Sequence, residues 1–77
     1  MEAKELRQRI LDIIGDVIGW TNLKESDGIS VGTYNQGELC LTFESEFEID
    51  IWELDWNKIN MVGELVSAVV ERIEILK

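Results

Sequence analysis

The apolar residues near the two ends of the chain recur with the spacing of helix faces. They are Leu6, Ile10, Ile13, Ile14, Val17 and Ile18 near one end, and Met61, Val62, Leu65, Val66, Val69, Val70, Ile73 and Leu76 near the other. Intervals of three and four residues place such side chains on one side of a helix, so the pattern predicts helices over residues 2–19 and 60–76. Gly19 is the predicted end of the first helix, and Asn60 is the predicted N-cap of the last.

The middle of the chain gives a weaker pattern. Residues 21–37 read TNLKESDGISVGTYNQG and contain three glycines and several turn-forming residues, which predicts a loop up to residue 38. The apolar residues in and after this region fit either β-strands or an α-helix. Three alternating runs fit strands with a hairpin that turns at NQGE. The runs are Ile29, Val31 and Thr33; Leu39, Leu41 and Phe43; and Phe47, Ile49 and Ile51. Leu39, Phe43 and Phe47, at i, i+4 and i+8, fit a helix instead, and periodicity does not decide between them.

Length and composition narrow the class of protein. The 77 residues predict a single domain over 1–77, and 45% hydrophobic residues provide enough apolar surface for one core. No histidine is present, and Cys40 is the single cysteine, so neither a cysteine zinc cluster nor an internal disulfide is expected. Cys40 has no lysine or arginine nearby in sequence and is predicted to be a small buried hydrophobe. Without a membrane-span or signal-peptide pattern, the expected location is the cytoplasm.

Negative charge is concentrated in one interval of the chain. The net charge is −9, and no basic residue lies between Lys24 and Lys58. That interval holds nine acids: Glu25, Asp27, Glu38, Glu44, Glu46, Glu48, Asp50, Glu53 and Asp55. Such a surface repels nucleic acid and attracts a basic patch on a partner protein. We therefore expect no nucleic acid partner. No membrane partner is expected without a membrane-span pattern, and no specific metal site is expected because DGIS and DIWELD lack the spaced oxygen ligands and central glycine of a calcium loop. The sequence leaves the oligomeric state open, with a monomer as the default.

The stretch FEIDIWELDWNKINMVGELV, residues 47–66, resembles the acyl carrier proteins and the related peptidyl carrier domains. In that family a helix ends in an acidic run and a phenylalanine, here ESEF, and an extended acid-isoleucine connector follows, here EIDI. A short acidic helix, a Lys-Ile pair (Lys58 and Ile59) and a polar cap before the last helix, here NMVGEL, come next. Ile13-Ile14-Gly15 and Ile18-Gly19 of the first helix also match, so the resemblance covers residues 5–19 and 36–76.

The resemblance implies an all-α fold, an acyl-carrier-protein-like bundle of three longer helices plus one short helix before the last. Under this interpretation ESEF ends the second helix, and the connector places Ile49 and Ile51 in the core. Trp52 and Trp56 fall on the short helix, where the family usually has small or polar residues.

Members of this family perform no chemistry of their own. They carry an acyl or aminoacyl thioester on 4′-phosphopantetheine, which is attached to the serine of an Asp-Ser-Leu motif at the start of the second helix. This sequence lacks that motif. Counting back from Phe47 without a gap places the serine position at Thr33. An alternative alignment, with a deletion and about three extra residues at the start of the second helix, places it at Ser30, the preferred candidate of the two.

The leading interpretation is a non-enzymatic carrier-like protein without cofactor, which docks on a biosynthetic enzyme of the fatty acid, polyketide or peptide type. The docking residues it predicts are Glu38, Glu44, Glu48, Trp52 and Trp56. One alternative is a working carrier with 4′-phosphopantetheine on Ser30. A further alternative is an acidic α+β interaction or inhibitor protein.

Overall fold

The computed structural model describes residues 2–75, which form three α-helices and no strand. The helices are α1 (Ala3–Ile18), α2 (Thr33–Phe47) and α3 (Val62–Ile75). The predicted all-α class is therefore confirmed for this part of the chain. The α+β alternative is wrong there, because the NQGE segment lies inside α2. Leu76, which the periodicity assigned to the last helix, lies outside the described residues.

The first helix follows its sequence pattern closely. It ends at Ile18, and Gly19 adopts the left-handed conformation (φ 74°) while its N–H donates to the Gly15 carbonyl. Glycine reaches positive φ without a steric penalty from Cβ, which explains its use as the helix stop. The predicted end of the first helix is confirmed.

The second helix begins earlier than the loop prediction allowed. Residues 33–37 are helical, so a loop extending to residue 38 is wrong. The Gln36 N–H donates to the carbonyl of Gly32, the N-cap residue, and the buried side chains of Leu39 and Phe43 hold the helix against the core. Packing here outweighs the poor helix propensity of Asn35 and Gly37.

One apolar core joins the helices. Helix α1 packs against both α2 and α3. The residues with no exposed surface are Ile10, Ile14, Leu39, Phe43, Ile51, Val62, Leu65, Val66 and Val69. The core thus takes residues from every helix and from the connector after α2.

The segment after α2 confirms the predicted connector. The helix ends at Phe47, and Glu48 adopts the left-handed conformation (φ 56°) with its N–H donating to the Glu44 carbonyl. Ile49 and Ile51 are 2% and 0% exposed, whereas Asp50 between them faces solvent. The alternating pattern is therefore that of an extended segment that inserts every second side chain into the core.

The predicted short helix is reduced to one turn of 3-10 helix, Trp56–Lys58. The N–H of Ile59 donates to the Trp56 carbonyl at 3.2 Å, and Trp52 lies in a turn outside this element. Placing both tryptophans on one helix was wrong. A 3-10 turn commonly serves as a connector of this length.

The start of α3 also differs from its prediction. The helix begins at Val62, two residues after Asn60. The Asn60 side chain donates to the Lys58 carbonyl at 3.4 Å and caps no helical N–H. The Glu64 carboxylate instead accepts the N–H groups of Met61 (2.9 Å) and Asn60 (3.1 Å). A glutamate in the first turn that reaches back in this way is half of a capping box, so the Asn60 N-cap prediction is wrong.

The loop between α1 and α2 supplies partners for the first N–H groups of α3. The Val62 N–H donates to the Asp27 carbonyl at 2.9 Å, and the Gly63 N–H donates to the Glu25 carbonyl at 2.8 Å. These groups have no partner within their own helix. The Glu25 side chain in turn accepts from Arg7 of α1, so the loop links the two terminal helices.

Candidate docking surface

The outer face of α2 carries the exposed acids that the sequence singled out. Glu38, Glu44 and Glu48 all face solvent, and the first two share a helix face with the exposed Leu41, since they lie three residues on either side of it. Glu48 continues this side of the molecule one residue beyond the helix. The structure therefore places the three predicted glutamates along one surface.

A shallow groove of about 550 Å³ lies where α2 meets the connector. Its lining residues are Glu44, Glu48, Ile49, Asp50 and Trp52. The structure thus brings two of the predicted glutamates together with one predicted tryptophan and adds Asp50, which the sequence prediction omitted. We call Glu38, Glu44, Glu48, Asp50 and Trp52 the acidic surface.

Trp52 is held beside α2 by its own turn. Its backbone N–H donates to the Asp50 carboxylate at 2.9 Å, and the residue is 53% exposed. A Cβ added at Gly37 would lie 3.9 Å from Cη2 of the indole, so the ring edge sits next to α2 at that glycine. Trp52 thus presents apolar surface to solvent among carboxylates, the composition expected of an interaction site.

Trp56 occupies a different environment. It is half-buried in the 3-10 turn and packs against the core. It does not line the groove that contains Trp52. The structure therefore separates the two tryptophans that the sequence prediction grouped together.

Two exposed apolar residues on α2 were missed by the sequence prediction. Tyr34 is 79% exposed and Leu41 is 58% exposed, and the two positions are seven apart (i, i+7), so they lie two turns apart on one face. Tyr34 was assigned to a loop, which hid this spacing. A helix beginning at Thr33 would have revealed an apolar pair beside the acids.

No known protein-family model matches this chain, and no solved structure matches it at a significant level.

Among the residues that the structure describes, three of the nine acids between Lys24 and Lys58 have cationic partners. Glu25 pairs with Arg7, Glu46 pairs with Arg9 at 2.6 Å, and Asp55 pairs with Lys58 at 3.6 Å. The interval itself contains no cation, but α1 supplies two arginines from outside it. Within residues 2–75, the four carboxylates of the acidic surface take part in no ion pair.

The two candidate residues for phosphopantetheine attachment lie at different positions relative to the start of α2. Thr33 is the first residue of the helix, and Ser30 lies three residues before it. Both side chains are exposed. Residues 30–32 are not helical, so Ser30 lies outside α2, whereas Thr33 lies at its start.

Cys40 lies inside the core, as predicted. It is 1% exposed. Burial raises the pKa of its thiol, and the negative charges of Asp50 and Glu44 act in the same direction. The thiolate is therefore disfavoured, which makes Cys40 a poor nucleophile.

Two features are absent among the described residues, a membrane-spanning helix and a metal-binding group. None of those formed within residues 2–75 has the length and apolar composition that a membrane span requires. Over the same residues, no three side chains of the metal-binding types are grouped closely enough to hold an ion.

Proposed function

We propose that this chain is a divergent protein of the acyl carrier type that works without a prosthetic arm. It docks its acidic surface on a basic patch of an enzyme in a fatty acid, polyketide or peptide type of biosynthesis. Its contribution is recognition, and the partner performs the chemistry.

The order of the elements supports the carrier-type part of this proposal. The resemblance carried by residues 47–66 implies a second helix ending in ESEF and a connector that inserts two isoleucines. Helix α2 ends at Phe47, and both Ile49 and Ile51 are buried. One 3-10 turn then precedes α3, in the region where the family has its short helix.

The observation that carries the docking part is the set of exposed carboxylates around Trp52. Four acids without ion-pair partners among the described residues share this side of the molecule, and three of them line one groove with the indole. Uncompensated charge of one sign raises the rate of encounter with an oppositely charged partner. Trp52, Leu41 and Tyr34 add apolar area that a partner can cover.

Neutralising the acidic surface is expected to slow association with the partner. The variant Glu38→Gln/Glu44→Gln/Glu48→Gln keeps side-chain size and removes three charges, so the association rate and its salt dependence should both fall. Ketosynthases and adenylating enzymes, screened for binding by biolayer interferometry, provide the partners for this measurement.

The matched control is Glu2→Gln/Glu71→Gln/Glu74→Gln, which removes three exposed charges elsewhere. It changes the net charge equally and should alter the association rate much less. Equal slowing by the two variants would mean that net charge, and not the acidic surface, determines the encounter.

The working-carrier alternative makes an opposite prediction about covalent modification. Incubation with coenzyme A and a promiscuous phosphopantetheinyl transferase is expected to leave the protein unmodified in intact-protein mass spectrometry. Ser30 precedes the helix by three residues, and Thr33 follows Gly32 where the family has aspartate. A gain of one phosphopantetheine that Ser30→Ala or Thr33→Ala abolishes would establish a working carrier.

A gain-of-function variant makes the negative result informative. The triple variant Gly32→Asp/Thr33→Ser/Tyr34→Leu introduces the family's Asp-Ser-Leu motif at the start of α2. Aspartate is also a better N-cap than glycine. We expect this triple variant to accept the arm. If it also stays unmodified while an ordinary carrier protein is modified in the same tube, the carrier-type assignment itself loses its support.

A further inference from the structure

A second groove lies between α1 and the segment that follows it. The chain reverses at Gly19, and the Trp20 N–H donates to the Gly15 carbonyl at 2.9 Å. A space of about 660 Å³ remains between this segment and the helix. Leu11, Gly15 and Leu23 are the buried residues that form its floor. The groove shares no lining residue with the acidic surface.

The exposed residues of the groove combine an aromatic ring with two carboxylates. Asp12 and Asp16 both face solvent from α1, and the Trp20 indole is 47% exposed. Asp12 accepts a hydrogen bond from Gln8 at 2.9 Å, and neither aspartate has an ion-pair partner among the described residues. Lys24 is the one cationic residue in the described lining.

This arrangement does not favour the stability of α1. Two like charges at i and i+4 destabilise a helix, and Asp16 lies in the last turn, close to the negative end of the helix dipole. That turn contains no basic residue to offset the charge. The Gln8 hydrogen bond offsets this repulsion at Asp12. No ion pair offsets the charge of either aspartate among the described residues, so both remain open to a cationic partner.

We propose that this groove binds an arginine side chain from an extended segment of a partner protein. The guanidinium pairs with Asp12 and Asp16, near the negative end of α1, and its flat face stacks on the Trp20 indole. Its aliphatic stem covers Leu11 and Leu23. Arginine fits better than a compact ammonium ion because its planar group can stack and can pair with carboxylates through two hydrogen bonds. This inference does not depend on the proposed function.

The test is a nuclear magnetic resonance titration of the ¹⁵N-labelled protein with the peptide acetyl-Gly-Arg-Gly-amide. We expect saturable shifts at the Trp20 indole N–H and the Gly15 amide. The variant Asp12→Asn/Asp16→Asn should weaken peptide affinity about tenfold, a change that corresponds to roughly 1.4 kcal/mol. Because it removes a repulsion, it should fold as well as the unaltered chain, with a melting temperature that is equal or higher.

Two controls separate binding in the groove from general attraction to an acidic protein. The citrulline peptide has nearly the same shape as the arginine peptide without its charge, and it should not bind. The variant Glu71→Gln/Glu74→Gln removes two exposed charges from α3 and should leave the affinity unchanged. Absence of shifts at the groove, binding of the citrulline peptide, or equal weakening by the two double variants would overturn the proposal.

Discussion

Replacing Ile51 by alanine is expected to destabilise the protein by about 2–5 kcal/mol. The side chain is fully buried in the core although it belongs to an irregular connector. Its removal loses apolar burial and leaves a cavity that the surrounding helices fill incompletely. Since domains of this kind are stable by only about 5–15 kcal/mol, the loss should appear as a large fall in the urea midpoint.

Leu41→Ala is the matched control for this substitution. It removes a similar amount of side chain from α2, but Leu41 is 58% exposed and leaves no cavity. Surface substitutions of this type usually change stability by less than about 0.5 kcal/mol. If Ile51→Ala cost no more than Leu41→Ala, the connector would not be part of the core.

Two glycine-to-alanine substitutions in helices are expected to have opposite effects. At Gly15 an added Cβ would lie 2.8 Å from the Trp20 carbonyl oxygen, so the chain reversal after α1 must shift. Overpacking of this kind costs about 1–3 kcal/mol, more than the gain of up to about 1 kcal/mol from the helix propensity of alanine. Gly15→Ala should therefore lower the melting temperature.

Gly37→Ala provides the opposite case in the same fold. The nearest atom to its Cβ would be Cη2 of Trp52 at 3.9 Å, an ordinary van der Waals distance. With no steric cost, the propensity gain should raise the melting temperature, by about 4–8 °C per kcal/mol for a domain of this size. A fall in the melting temperature would show that α2 does not extend through this residue. Thermal denaturation followed by circular dichroism measures both variants.

The acidic surface could be predicted from the sequence only in part. Glu38, Glu44 and Glu48 belong to an acidic run that also contains Glu46, and a helical interpretation of that run places them outside. Asp50 and Trp52 join Glu44 and Glu48 because the connector folds back beside α2. Arg7 and Arg9 reach Glu25 and Glu46 across 18 and 37 residues of sequence, so no local pattern could show which acids would be neutralised.

The apolar periodicity was enough to predict α1 and the body of α3, because their apolar faces repeat over several turns. The end of α1 was also predictable, since Gly19 reaches positive φ at low cost. The first residues of α2 and α3, in contrast, depend on tertiary contacts. Packing of Leu39 and Phe43 against the core stabilises a helix that begins at Thr33. The Asp27 and Glu25 carbonyls accept hydrogen bonds from the first N–H groups of α3. Such contacts join residues far apart in the chain, whereas propensity and periodicity describe only neighbours.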